Sequence, residues 1–296
     1  VKPAAAVGYT PLSADRPGAP AVPAAPGRPS QAKEARLASI PLAFREYGKG
    51  PALVIVHGLF GSGRNWHTIA NRLADRFRVF TVDLRNHGDS PWTPTMGLSE
   101  MADDLSRFID DRQLATATVI GHSLGGKTAM LAALSDPARI EALVVVDIAP
   151  VRYRHAFQAE IDAMAGLDLL HVVRRAEAAD ALAARLGDPS LARFLVQNLA
   201  TGPKGLVWKL NLAAIGRAMT ELTDFPYVAD WAFDGRTLFV SGDRSDYIDR
   251  SHDRQIFALF PQAEFAVIAG AGHRVHVDQP DAFLARLEDF LDSGSA

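Results

Sequence analysis

Apolar and polar positions along this chain follow two rhythms. Short continuous apolar runs recur at 52–57, 79–83, 117–121, 142–147, 237–241 and 265–268. Each is too short for a helix and is bounded by glycine or polar residues, which reads as a strand buried on both faces. Between the runs, apolar residues return at helical spacing. Met101, Leu105, Phe108 and Ile109 form one face behind Ser99, a predicted N-cap. Phe283, Leu284, Leu287, Phe290 and Leu291 form another, in a C-terminal helix predicted to start near Pro280. Leu42 to Tyr47 alternates like an early antiparallel strand and runs into the Tyr47-Gly48-Lys49-Gly50 turn. Strands alternating with helices predict an α/β fold: a mostly parallel central sheet with helices on both faces.

The rhythm breaks between 151 and 232. No buried strand is expected there, and apolar residues recur only at helical spacing, as in Phe157, Ile161 and Met164 or Leu191, Phe194 and Leu195. The expected organisation is therefore an α/β core at 37–150 and 233–296, interrupted by a helical cap at 151–232. Residues 1–36 stand apart. Seven prolines fall between Pro3 and Pro29 among alanine, glycine and serine, a mixture that cannot build a packed core. This stretch is expected to be a disordered arm, either a linker or the remnant of a targeting segment. It lacks the apolar core of a secretion signal, and the expected compartment is the cytoplasm.

Composition narrows the function class only modestly. Hydrophobic residues make up 48% and charged residues 22%, an ordinary globular mixture. A net charge of −3 leaves no electrostatic footprint for nucleic acid. The apolar runs are far too short to span a membrane. Without cysteine there is no disulfide, no thiolate nucleophile and no cysteine-based zinc site. His67, His87, His122 and His155 are scattered without metal-ligand spacing, so neither a metal nor another cofactor is expected.

The chemistry concentrates at the ends of the apolar runs. Gly121-His122-Ser123-Leu124-Gly125 follows one run and opens an alanine-rich helical pattern. Strand, sharp turn and helix are the setting in which G-x-S-x-G becomes a nucleophile elbow, with Ser123 exposed on a turn too tight for side chains two positions away. His57-Gly58-Leu59-Phe60-Gly61 follows the first run and lacks nucleotide-binding glycine spacing. Such a loop can supply an oxyanion-hole amide, assigned to Leu59, with Leu124 as the second donor. His57 reads as a hydrogen bonder that fixes this loop. His273, in Gly270-Ala271-Gly272-His273, is the preferred base over His276 because flanking glycines let its backbone approach the elbow. The acid is open between two carboxylates after successive runs, Asp147 and Asp246. Phe60 and His122 beside the elbow, and Trp208 and Tyr227 in the cap, are the candidate substrate-contacting side chains; Phe225 and Trp231 are further aromatic residues of the cap.

His57-Gly58-Leu59-Phe60-Gly61-Ser62, Asn65-Trp66, Asp83-Leu84-Arg85-Asn86-His87-Gly88, Gly121 to Lys127, Asp147-Ile148-Ala149-Pro150-Val151 and Gly270 to His273 occur in this order. Together they resemble the α/β-hydrolase superfamily, in particular small bacterial carboxylesterases related to mitochondrial α/β-hydrolase-domain esterases. The resemblance covers roughly residues 37–296. It implies an α/β-hydrolase fold, a Ser-His-Asp carboxylesterase acting on small-molecule esters, a helical cap and no cofactor. It also favours Asp147 over Asp246. Arg274 departs from it, since such proteins often carry an aromatic residue there. Perhydrolysis, carbon–carbon bond hydrolysis or acyl transfer on the same scaffold, and a non-catalytic receptor, are the alternatives.

Overall fold

The computed structural model describes residues 39–154, 157–203, 205–228 and 230–294. The expected arm at 1–36 lies outside the described residues. In chain order the elements are β1 (Phe44–Tyr47), β2 (Ala52–Val56), α1 (His67–Leu73), β3 (Arg78–Val82), α2 (Leu98–Asp111), β4 (Ala117–His122), α3 (Leu124–Ser135) and β5 (Ile140–Val146). Then follow α4 (Gln158–Ala165), α5 (Arg175–Leu186), α6 (Pro189–Leu195), β6 (Leu199–Gly202), β7 (Gly205–Trp208) and α7 (Leu212–Leu222). The chain returns to the sheet with β8 (Arg236–Gly242), α8 (Asp253–Leu259) and β9 (Ala263–Ile268), and closes with α9 (Val275–Asp278) and α10 (Pro280–Asp292).

Among the described residues, seven strands form one sheet in the order β1-β3-β2-β4-β5-β8-β9. Only β1 runs antiparallel to its neighbour; the other pairings are parallel. Strict alternation sorts the inner strands' side chains. Leu53 and Ile55 of β2 join one core with Trp66, Ile69 and the apolar face of α10. Val54 and Val56 join the other, with Met101 and Leu105 of α2 and Met130 of α3. Burial on both faces is why these strands read as unbroken apolar runs. The chain moves from β2 outward to β3 and then crosses back to β4 on the other side of β2. This reversal leaves a crevice at the carboxyl ends of β2 and β4, where ligands gather in open α/β sheets.

Two local expectations differ from the structure. Helix α2 is capped at Gly97, not Ser99. The Glu100 carboxylate accepts the Gly97 N–H at 2.7 Å, and Glu221 accepts the Leu98 N–H at 3.1 Å. Two carboxylates thus satisfy the orphan donors at the positive helix end, and Ser99 falls inside the first turn. The segment between β5 and β8 also holds a hairpin, β6–β7, with Leu199 opposite Trp208. Its strands are four residues long and only half buried, so they leave no apolar run. No described helix is long and apolar enough to cross a membrane.

A buried ion pair holds the loop after β3 to α2. The Arg85 guanidinium and the Asp104 carboxylate are 1% and 0% exposed and make a bidentate contact, Nε to Oδ2 at 2.7 Å and Nη2 to Oδ1 at 2.8 Å. Nη1 reaches Glu100 at 2.8 Å, and Asp104 also accepts the Ile40 N–H at 2.7 Å. Removing one partner strands a buried charge, whereas removing both does not. Arg85→Met should therefore lower unfolding free energy by about 3–5 kcal/mol, and the Arg85→Met/Asp104→Leu double variant should lose less. Urea unfolding of the two variants against the parent measures this; equal losses would contradict it.

Candidate active site

The elbow is built by backbone contact. β4 ends at His122, α3 begins at Leu124, and Ser123 between them adopts φ 51°, ψ −118°. A Cβ on Gly121 would sit 2.3 Å from the Gly125 carbonyl oxygen, and one on Gly125 would sit 2.3 Å from that of Val56. Strand and helix can meet this closely only with hydrogen at both positions. The Ser123 N–H donates to the Val146 carbonyl at 3.0 Å, tying the turn to the end of β5. Phe60 and Asp147 share its left-handed backbone, at φ 57° and 55°. Three strained non-glycine residues thus follow β2, β4 and β5, around the crevice.

Asp147 is fully buried. Its Oδ2 accepts the His273 Nδ1–H at 2.8 Å and the Ser245 Oγ–H at 2.5 Å, and its Oδ1 accepts the Gly242 N–H at 3.3 Å. A carboxylate accepts only, so His273 Nδ1 carries a proton in this contact, which leaves Nε2 as the nitrogen with the free lone pair whenever the ring is neutral. The Tyr247 ring stacks on that imidazole, 3.9 Å between centroids and 19° between planes. Asp246 lies exposed on the loop after β8. Ser123 and His273 line one cavity of about 670 Å³ with Leu59, Phe60, His122 and Arg274. No hydrogen bond joins Ser123 Oγ to His273 Nε2; contacts of this kind tighten when substrate binds.

Leu124 is the first residue of α3, so its N–H is one of the orphan donors of a helix start. The Leu59 N–H has no hydrogen-bond partner among the described residues. Its loop is clamped by two imidazoles. His57 Nδ1–H donates to the Gly58 carbonyl at 2.8 Å while Nε2 accepts the Leu84 N–H at 3.0 Å. His87 Nδ1–H donates to the Arg85 carbonyl at 3.0 Å while Nε2 accepts the Phe60 N–H at 3.2 Å. Accepting through Nε2 requires the neutral ring, and burial pushes His57 down to about 4 and His87 to about 3.

His122 Nε2–H donates to the His273 carbonyl at 2.8 Å, so this cavity-lining side chain also supports the loop that carries His273. Burial, reinforced by the neighbouring His273 and His276, lowers its pKa well below the usual value. His276 lies flat on Trp66, 3.8 Å between centroids and 9° between planes, and burial pushes it down to about 3. The structure does not bring Trp208 or Tyr227 to this cavity. The Trp208 indole N–H donates to the Met164 carbonyl at 3.1 Å inside the inserted segment, and Tyr227 is 93% exposed. Phe225 is buried. Ser245 and Tyr247, on either side of Asp246, are site residues that the sequence reading does not include. Among the described residues, no group of three or more histidines, aspartates or glutamates is arranged to hold a metal ion.

Comparison with known proteins adds the following. Residues 53–286 match the profile of the Alpha/beta hydrolase family. The chain is 38% identical over 249 residues to the mouse sn-1-specific diacylglycerol lipase ABHD11, covering 81% of each chain. It is 36% identical to Esterase YbfF of Escherichia coli, covering 84% of this chain and 96% of the relative. A solved marine microorganism esterase superposes with a TM-score of 0.82 at 35% identity, covering 85% of this chain and all of that one.

The neutral imidazoles set the acid limit of stability. His57, His87 and His276 titrate near 4, 3 and 3 when folded, against about 6.5 when unfolded. As pH falls below about 6.5 the unfolded chain takes up protons that the folded chain refuses, so stability is complete above that value and declines toward about pH 4 and beyond. The urea midpoint, followed by tryptophan fluorescence, should fall steadily between about pH 7 and about pH 4. A midpoint that stays level over that interval would refute these folded-state values.

Proposed function

The chain belongs to the alpha/beta hydrolase family and is an ester hydrolase, and from that premise we propose that it is a serine carboxylesterase for small to medium acyl esters, working through an acyl-enzyme on Ser123. The observation that carries this reading is the 2.8 Å contact between His273 Nδ1 and the buried Asp147 carboxylate, with Ser123 and His273 facing one cavity. Asp147 holds the imidazole in the tautomer whose Nε2 can take a proton. Ser123 Oγ attacks the ester carbonyl carbon as its proton passes to Nε2. The N–H groups of Leu59 and Leu124 stabilise the oxyanion of the tetrahedral intermediate. His273 then returns a proton to the leaving alcohol, and a water activated by the same nitrogen releases the acid. Residues 151–232 act as the cap, excluding bulk water from the chamber.

Phe60 and His122 border the substrate, while Trp208 and Tyr227 act elsewhere in the cap. Asp147 is the acid; Ser245 and Tyr247 orient the Asp147–His273 pair.

Replacing Ser123 with alanine should reduce kcat to the residue left by the oxyanion hole and binding, roughly 10³–10⁴ over the uncatalysed rate, and should abolish labelling by a fluorophosphonate probe. Asp147→Asn should keep the fold but favour the wrong imidazole tautomer, costing up to about 10⁴ in kcat, while Asp246→Asn should cost less than about tenfold. Steady-state kinetics on a p-nitrophenyl ester, with circular dichroism as the fold control, decides both. Near-parental activity in Ser123→Ala, or the larger loss in Asp246→Asn, would reverse the assignment.

A further inference from the structure

His273 is held in two ways. Asp147 accepts its Nδ1–H at 2.8 Å, and the Tyr247 ring lies against a face of the imidazole, 3.9 Å between centroids and 19° between planes. The Tyr247 ring is set by contacts of its own main chain. Its carbonyl accepts the Tyr153 O–H at 2.5 Å, and its N–H donates to Ser245 Oγ at 3.4 Å. The Tyr153 ring packs against it at 5.2 Å and 33°. Tyr153 is itself anchored: its hydroxyl accepts the Ala149 N–H at 2.8 Å, and its N–H donates to the Thr223 carbonyl at the end of α7 at 2.8 Å. Lys127 Nζ stands 5.0 Å over the Tyr153 ring. An aromatic column thus runs from the elbow helix and the inserted segment to the imidazole.

The other charged and titratable groups around His273 do not replace this contact. Asp147 follows β5, and His122 ends β4 with its ring 4.8 Å away. Arg274 and His276 come from the loop of His273 and from α9, and Glu160 of α4 and Asp278 of α9 line the same chamber. Burial keeps His122 and His276 neutral, and Arg274 repels a positive ring. Burial also pushes the Tyr247 phenol up to about 12, so the ring meets the imidazole as a neutral π face, not as a phenolate. His276 stacks on Trp66 in a similar way, at 3.8 Å and 9°. That contact is packing alone, because no carboxylate meets the His276 ring. His273 is the imidazole that must become charged during turnover.

We propose that Tyr247 is a positioning residue that acts through the base: its ring face stabilises the imidazolium that forms when His273 Nε2 takes the Ser123 Oγ proton. The inference rests on the serine esterase reading above. A π face attracts a cation far more than a neutral ring, so the stabilisation belongs to the transition state and its intermediate rather than to the resting site. Removing the ring leaves the hydrogen bonds of the Tyr247 backbone available, so the loss is that of the face.

The test follows kcat/KM of the purified full chain on p-nitrophenyl acetate between about pH 5 and about pH 9, with circular dichroism as the fold control. In Tyr247→Leu the plateau should fall about two- to thirtyfold, the factor that corresponds to the loss of one cation–π contact. The acid limb of the profile should also move to lower pH, by about half a unit to one and a half units, because the protonated ring loses support. A ring that merely filled space would give the opposite sign, since admitting water favours the charged imidazole. Tyr247→Phe keeps the face and should keep both the plateau and the limb close to those of the parent. Should Tyr247→Leu not fold, Tyr247→Met fills the space without a π face and serves in its place. A limb that stays put or moves to higher pH in a folded variant, or Tyr247→Phe behaving like Tyr247→Leu, overturns the proposal and leaves the esterase reading intact. No ester turnover by the parent, with Ser123 unlabelled by fluorophosphonate, overturns that reading and this proposal with it.

Discussion

The site depends on one close approach, that of the first turn of α3 to the end of β2. Gly125 lies so near the Val56 and His57 carbonyls that a methyl group there would collide with both. This contact brings the start of the helix to the loop carrying Leu59, so two amides from segments more than sixty residues apart can face one atom. It also forces Ser123 out of ordinary backbone space. Such strain costs of order 1–3 kcal/mol. It is held by hydrogen bonds on both sides: Ser123 N–H to Val146, and Lys127 N–H to the Ser123 carbonyl at 3.0 Å. The left-handed residues at Phe60 and Asp147 repeat the pattern on the flanking strand ends. The sheet and its two cores supply the rigidity that makes three strained turns tolerable together.

Much of this was legible in the sequence because it follows from local rules. Strands buried on both faces must be apolar throughout, and the inner strands of the sheet were visible for that reason. The elbow was visible because its glycines are sterically required. The carboxylate that meets His273 was not separable by local rules, since Asp147 and Asp246 both follow buried strands. Their difference is spatial: β5 lies beside β4, and the Asp147 carboxylate crosses the end of β8 to meet the loop after β9. The later loop contributes Ser245 and Tyr247 around that carboxylate and imidazole. The aromatic residues of the inserted segment were the least legible. Nothing in the spacing of Trp208 or Tyr227 says whether an indole meets a carbonyl within its own segment or a ring stands in solvent. Ser99 failed as a cap for a similar reason, because Glu221 arrives from more than one hundred residues away.

The interior around the site is polar, and most of its cost is contained by hydrogen bonding; the buried His276 Nδ1, stacked against Trp66, is left without a partner. His57, His87 and His122 act as neutral cross-braces between loops, not as titrating groups. Lys127 plays the cationic counterpart. Burial pushes it down to about 7, and backbone carbonyls at the end of α7 accept its hydrogen bonds. Each brace fixes backbone to backbone, so the reacting groups inherit positions set by the main chain.

The contact between Asp147 and His273 spans 126 residues of sequence, and one of its partners follows the edge strand β9. Contacts of such separation close large loops and form late relative to local helices. Everything between them, the inserted segment included, must be accommodated before the imidazole meets its carboxylate. A chain that has collapsed and regained its helices can therefore still be inert. If Asp147 and His273 act as proposed, recovery of turnover after denaturation reports the docking of the final strand and its loop, which makes catalysis a stricter gauge of renaturation than any measure of secondary structure.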